Sequence, residues 1–230
     1  MNNSKTLIFC TAYAPDILTW DIKHRTWVND IRSSGLNYDH LVVIDDGSPE
    51  LPEWSDAMVI KEPELPELET DLSIYSFKEN LGRQGIFTQP GWYRSFVFAA
   101  VFARQYGFDK IVHVEADAAV ISQRLVDHIN QFSNGWEALW CPRWNLPETS
   151  LQVIAGQSVE QLFEFAMIPY WDNFAGQQVD PPEDSGRNSY FPFTVNKQFI
   201  GDRYGEYTEE IPSDADYACQ VFTNIRRWWI

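Results

Sequence analysis

The sequence predicts an α/β fold with a mostly parallel central sheet flanked by helices, and three observations carry that prediction. Through residue 122, apolar runs of strand length alternate with segments whose apolar residues fall at helical spacing. The runs are continuously apolar, as strands covered on both faces are. Residues 91–106 are apolar nearly all round, as a helix buried against a sheet must be.

The elements follow in order. Residues 6–12 form the first strand. Trp20, His24, Trp27, Val28 and Ile31 then mark one face of a helix, and Gly35 stops it. Residues 41–44 form a second strand that ends at Asp45-Asp46-Gly47-Ser48-Pro49, a strong turn signal. Residues 62–71 are an acidic, proline-punctuated loop and read as solvated surface. A third strand covers 72–77, and the buried helix over 91–106, interrupted only by Arg94 and Arg104, is capped by Gly107. Residues 110–114 form a strand that runs into Glu115 and Asp117, with a further apolar run at 118–121. A helix over 123–132 and a strand over 136–141 come next.

The second half is less regular. Helices are expected over 158–166 and 214–222 and a mobile loop over 179–188, while 200–207 stays unassigned. The chain reads as one domain, residues 1–230, with a nucleotide-binding half to about 122 and an acceptor-binding half from about 145.

Composition narrows the function. The formal net charge of −16 argues against nucleic acid and anionic membranes as partners, since both need basic patches. It also means that an anionic ligand needs a metal or a few well-placed arginines. Cys10, Cys141 and Cys219 lack zinc spacing and sit among apolar residues, which suits buried free thiols in a reducing compartment. The apolar stretch 7–10 is too short for a signal peptide, and no run approaches the roughly 20 residues of a membrane span. A soluble, cytoplasmic protein with no transmembrane segment is expected.

Glu115-Ala116-Asp117 is the most informative motif. Strand alternation sends residues two apart to the same side, so the carboxylates can converge on one point. Two such acids among apolar neighbours call for a cation, and a divalent metal with oxygen ligands answers. An isolated E-x-D also reads as a strand ending in a polar turn, and the upstream order decides between the two. Thr11-Ala12-Tyr13 closes the first strand, Asp45-Asp46-Gly47-Ser48 the second, and Arg83 and Arg94 precede and open the buried helix. In a parallel sheet all these would line one crevice at the carboxyl ends of the strands. Tyr13 can stack on a base, an aspartate can accept from base or ribose, and an arginine can offset phosphate charge.

With T-x-Y, I-D-D-G-S, Asn80-Leu-Gly-Arg83, the Arg94-bearing helix and a D-x-D-like pair in this order, the chain resembles a glycosyltransferase of the GT-A fold. It is most similar to the large family 2 of nucleotide-diphospho-sugar transferases, over about residues 6–122. The resemblance implies a metal-dependent, hexosyltransferase-type enzyme. Such an enzyme moves a sugar from a nucleotide-diphosphate donor to a glycan or other hydroxyl acceptor, here with inversion. It implies that Thr11, Tyr13 and Asp46, or its neighbour Asp45, hold the nucleoside, and that Arg83 or Arg94 contacts the base or diphosphate. Asp117 with Glu115 would bind Mn²⁺ or Mg²⁺. Glu rather than Asp at 115 departs from the family pattern, and its longer side chain is long enough to reach the ribose, or the metal through water. No histidine follows His128, which excludes family variants with a late histidine ligand.

The resemblance also implies a catalytic base late in the chain, at a helix amino terminus. Pro212-Ser213-Asp214-Ala215-Asp216-Tyr217 fits, with Asp214 as first choice and Asp216 as second. Ser213-x-x-Asp216 reads equally as a capping box with no catalytic role. Trp136, Trp140, Trp144, Trp171 and Tyr170 are candidates for sugar stacking or for the core. Arg226-Arg227 could reach a diphosphate or be a solvated pair, and His113 reads as a satisfied core histidine. Two other functions stay open: a sugar-phosphate nucleotidyltransferase, although Thr11–Pro15 lacks the glycines and basic residue of a triphosphate loop, and a non-catalytic nucleotide- or glycan-binding module.

Overall fold

The computed structural model describes residues 4–83, 89–168 and 191–221. The expected loop at 179–188, together with Tyr170, Trp171, Arg226 and Arg227, lies outside them. Strand β1 (Thr6–Ala12) leads into a helical stretch made of α1 (Ile17–Thr19), a π-helical turn (Trp20–His24) and α2 (Arg25–Ser33). β2 (His40–Asp45), β3 (Met58–Lys61) and β4 (Leu72–Ser76) follow, then α3 (Pro90–Tyr106) and β5 (Lys110–Val114). Next come β6 (Ala119–Val120), α4 (Gln123–Gln131), β7 (Gly135–Cys141), β8 (Leu146–Ala155) and α5 (Gln157–Ala166). β9 (Thr194–Asn196), β10 (Gly201–Asp202), a 3-10 turn (Tyr204–Tyr207) and β11 (Tyr217–Ala218) complete the order.

The main sheet has eight strands in the order β3-β4-β2-β1-β5-β8-β7-β9. The five strands from β3 to β5 are mutually parallel, β8 is antiparallel to both its neighbours, and β9 returns parallel to β7. This is the expected α/β class with a mostly parallel sheet. A small second sheet, β10-β11-β6, lies beyond the end of β5.

Alternation along each buried strand divides the core in two. Ile8, Cys10, Leu41, Val43 and Val112 meet Trp27, Val28 and Ile31 of α2 and Leu125, Val126 and Ile129 of α4. Leu7, Phe9, Val42, Ile44 and Ile111 face Phe96, Ala100 and Phe102 of α3 and Leu162 of α5. α3 carries Pro at its first position, where the missing N–H costs nothing, and ends at Gly107 in the left-handed region (φ 73°). α2 and α3 therefore cover opposite faces of the sheet. The crossover direction reverses between β1 and β5, the place where an open α/β sheet leaves a crevice at its carboxyl edge.

Two expectations change. The helix expected over 214–222 is absent: Ala215 N–H closes a turn on Pro212 O (3.0 Å), and Tyr217-Ala218 is a strand pairing Val120-Ala119. Tyr217 and Ala218 are claimed by an edge that the small sheet offers, which outweighs local capping chemistry. β8 runs through residues read as irregular. Its Pro147, Glu148, Thr149, Ser150 and Gln152 carry no apolar pattern, yet they fill the space between β5 and β7.

Candidate active site

The carboxyl ends of β1, β2, β4 and β5 bring Thr11, Asp45, Asp46, Phe77 and Glu115 to one edge of the sheet. β1 and β5 are in parallel register with Phe9 beside His113, and two residues further on this register sets Thr11 beside Glu115. The Thr11 hydroxyl donates to Glu115 Oε1 (2.7 Å). The same oxygen accepts from the Trp92 indole (2.6 Å) in the first turn of α3, and His113 Nε2 lies 3.0 Å from it.

The Glu115 side chain is 15% exposed and that of His113 is wholly buried. His113 Nδ1 faces the Thr149 carbonyl (3.1 Å), an acceptor only, so that nitrogen carries a proton and Nε2 is left to share one with Glu115. Burial pushes the Glu115 carboxyl up, but His113 and the Thr11 hydrogen bond outweigh it and hold it at about 2. Glu115 is thus a fixed carboxylate with three partners on Oε1, and no described residue bonds to Oε2.

The pleat does not orient the acid pair as the sequence reading assumed. β5 ends at Val114, and Glu115–Ala118 is a turn closed by Ala118 N–H on Glu115 O (2.8 Å). Glu115 turns toward α3. Asp117, half-buried, accepts Val221 N–H on its carbonyl (2.8 Å), and its charge adds to the burial that drives the Cys219 thiol up.

The two aspartates of the D-D-G-S turn are occupied by the protein. Asp45 is fully buried and accepts from Ser48 N–H (2.9 Å), Ser48 Oγ (2.5 Å) and Ser76 Oγ (2.7 Å). Burial raises its pKa against those hydrogen bonds. Asp46 ion-pairs with Arg94 and accepts from Asn80 Nδ2 (3.0 Å) and Gly82 N–H (2.8 Å). Arg94 also lies 3.9 Å over the Phe77 ring. Gly47 (φ 77°) lets the turn touch the next loop, since a Cβ there would stand 2.7 Å from the Glu79 carbonyl carbon. The I-D-D-G-S and N-L-G-R segments therefore dock on each other, and Asp45, Asp46 and Arg94 hold that joint. Tyr13 is 49% exposed at the end of β1 and free to stack, and Arg83 is exposed at the edge of the same joint.

The late acids are not brought to Glu115. Asp216 is buried, and each of its oxygens has two donors. Oδ1 takes Ser122 Oγ and Arg124 Nε (2.6 Å); Oδ2 takes Arg124 Nη2 and Ile200 N–H (2.6 Å). Burial raises its pKa, but Arg124 and Ser122 prevail and hold it low. With its lone pairs spent, Asp216 cannot take a proton from an acceptor, which corrects the expectation that it serves as a base. Asp214 is exposed in the turn before β11. Val221 N–H bonds the Asp117 carbonyl, so it is the far end of that segment, and not the Asp214 end, that meets Asp117.

Trp136 is core, with its indole on Gln152 (2.8 Å), and Trp140 lies under Lys197 (3.7 Å). Trp144 is 43% exposed. The sequence reading missed Trp92 as a site residue, because an indole in an apolar helix looks like core. His113 is the expected core histidine, but its partnership with Glu115 could have been found only from the β1/β5 register.

Among the described residues no group of three His, Cys, Asp or Glu is arranged to hold a metal by itself. Glu115 Oε2, to which no described residue bonds, is an oxygen of the kind a hard cation takes, with the remaining ligands left to phosphate and water. No helix among the described residues is long and apolar enough to cross a membrane.

No family model and no curated protein matches the chain. Among the solved structures similar to it are two transferases. One is a glycosyltransferase involved in the glycosylation of the major capsid of PBCV-1, at 10% identity and TM-score 0.49, covering 94% of this chain and 92% of that one. The other is a protein from Desulfovibrio desulfuricans G20 assigned as a nucleotide-diphospho-sugar transferase, at 13% identity and TM-score 0.37, covering 80% and 74%.

Proposed function

We propose that the protein is a glycosyltransferase that binds a nucleotide-diphosphate sugar at the β1/β5 crevice and transfers the sugar to a hydroxyl acceptor. The observation that carries this reading is Glu115, ionised and held through one oxygen at the topological switch point, with its other oxygen unspent among the described residues. Tyr13, exposed just past the end of β1, offers a face for a base. Asp117 and Glu115 Oε2 would hold Mn²⁺ or Mg²⁺, and the bound cation would offset the charge that develops on the departing diphosphate.

The acceptor oxygen attacks the anomeric carbon, the bond from that carbon to the phosphate oxygen breaks, and the electron pair leaves on the diphosphate. The acceptor proton leaves to a general base or to water as the new bond forms. The half to about residue 122 would serve the donor and the half from about 145 the acceptor, with Trp144 as a surface for a sugar ring.

Binding tests this reading. UDP, GDP or dTDP at about a hundred times its dissociation constant should stabilise the fold by about 2.7 kcal/mol, raising Tm by about 5–10 °C, and only with Mn²⁺ or Mg²⁺ present. Asp117→Ala should remove the metal dependence. No shift with any of the three nucleotides, or an unchanged response in Asp117→Ala, would overturn the assignment. Slow hydrolysis of the donor without acceptor would separate an enzyme from a binding module.

A further inference from the structure

The helical stretch after β1 contains a π-helical turn, Trp20–His24, where an unbroken α-helix was expected. Such turns recur at functional positions. This one stands at the crevice mouth. Trp20 donates from its indole to Glu50 O (2.9 Å), just past the D-D-G-S turn. Trp27 donates to Val114 O (2.8 Å), the carbonyl immediately before Glu115. Lys23 precedes Trp27 by four residues, so it lies about one turn nearer the amino-terminal end of the helical stretch, the end that follows β1 past the carboxyl edge of the sheet.

Lys23 is half-buried, and no carboxylate pairs with it among the described residues, in a chain of net charge −16. The arginine best placed for phosphate, Arg94, is spent on Asp46. Next to Lys23, His24 is wholly buried with neither ring nitrogen partnered. Burial drives the His24 imidazole down to about 3, and the Lys23 charge adds to it. At Glu115, where burial works upward, the Lys23 charge adds to His113 and Thr11 in holding the carboxyl low.

We propose that Lys23 is the cationic subsite for the diphosphate of the bound nucleotide, with the unspent hydrogen-bonding capacity of His24 behind it. This rests on the reading that a nucleoside diphosphate occupies the crevice. An ammonium at that position neutralises phosphate charge that the acids of the site would otherwise repel. It also explains how a strongly acidic chain can draw an anion to a turn that carries two carboxylates.

Calorimetric titration of the full chain with UDP, GDP and dTDP, each with Mn²⁺, with inorganic pyrophosphate, and with the three parent nucleosides decides the matter. Lys23→Gln should weaken the diphosphates and pyrophosphate by about ten- to a hundred-fold and leave nucleoside binding unchanged. Lys23→Arg should recover most of the loss, and the difference between wild type and Lys23→Gln should shrink with added salt. The Tm of unliganded Lys23→Gln should match wild type, since a half-exposed lysine without partners contributes little to stability. Diphosphate binding as tight as wild type in Lys23→Gln, or an equal loss of nucleoside binding, would overturn the proposal. If wild type binds pyrophosphate through Lys23 but none of the nucleotides, the subsite stands and the nucleotide reading fails. If it binds neither, both fail.

Discussion

Lowering the pH from 7 to 5 is expected to remove about 4 kcal/mol of folding stability, shared between two buried histidines. Burial drives His24 from 6.5 to about 3 and His40 from 6.5 to about 4. Between pH 6.5 and about 4, both imidazoles are charged in the unfolded chain and neutral in the folded one. The unfolded state therefore binds more protons, and stability falls as pH falls. Each histidine contributes about 1.4 kcal/mol per pH unit over that window, so at pH 5 each has cost about 2 kcal/mol. That is a large share of the 5–15 kcal/mol typical of a domain.

Glu115 does not blur this window. Its depressed pKa adds stability above 4.5 that is lost only as pH falls toward about 2. Urea unfolding at pH 7, 6 and 5 reads the slope directly. His24→Leu should halve it, because one of the two titrations is gone and no polar atom is left unpartnered there. A flat profile from pH 7 to 5 would show that the imidazoles reach solvent or partners in the folded state.

Gly91→Ala should destabilise the protein by about 3 kcal/mol and lower Tm by about 6–12 °C. Gly91 is in the first turn of α3, and a Cβ there would overlap the Asp46 carboxylate. That carboxylate cannot move aside cheaply. Arg94, Asn80 Nδ2 and Gly82 N–H all hold it, and Gly91 N–H itself bonds Gly82 O (3.1 Å). A methyl at 91 thus lifts α3 off the joint or breaks a buried ion pair, and the second course leaves Arg94 uncompensated. Trp92 would be displaced with the helix, so Glu115 would lose one of its donors. A double-mutant cycle isolates the cause: in an Asp46→Ala background the added methyl should cost much less than in wild type. Equal costs in the two backgrounds would mean that the strain lies elsewhere.

The parallel half was legible because its signals are local. Continuous apolar runs at 6–12, 41–44 and 110–114 identify strands covered on both faces, and helical spacing from Trp20 to Ile31 identifies what covers one of them. Short β3 at the sheet edge escaped, since its only buried side chain is Ile60. β8 escaped for a different reason. Its buried Glu148 is tolerable only because Arg203, 55 residues away, meets it at 2.8 Å and 3.0 Å, and no window of sequence contains both. The late helix was misread because Ser213 and Asp216 satisfy a local capping rule, while the partner that claims Asp216 is Arg124, 92 residues distant.

By itself, the sequence determined the α/β class, the order of strands and helices through β5 apart from short β3, and the arrival of acids and Tyr13 at the ends of those strands. These follow from periodicity and from the rule that parallel strands present their carboxyl ends together. Only the tertiary structure decided which acids are spent and which are open. Asp45, Asp46 and Asp216 look as available as Glu115 in the sequence, yet the first three have their oxygens filled by serines, arginines and backbone N–H groups. Among the described residues Glu115 keeps one oxygen unspent, because Thr11, Trp92 and His113 converge on the other. Hydrogen-bond saturation is a property of groups brought together across the sheet, and a carboxylate's neighbours along the chain do not reveal it.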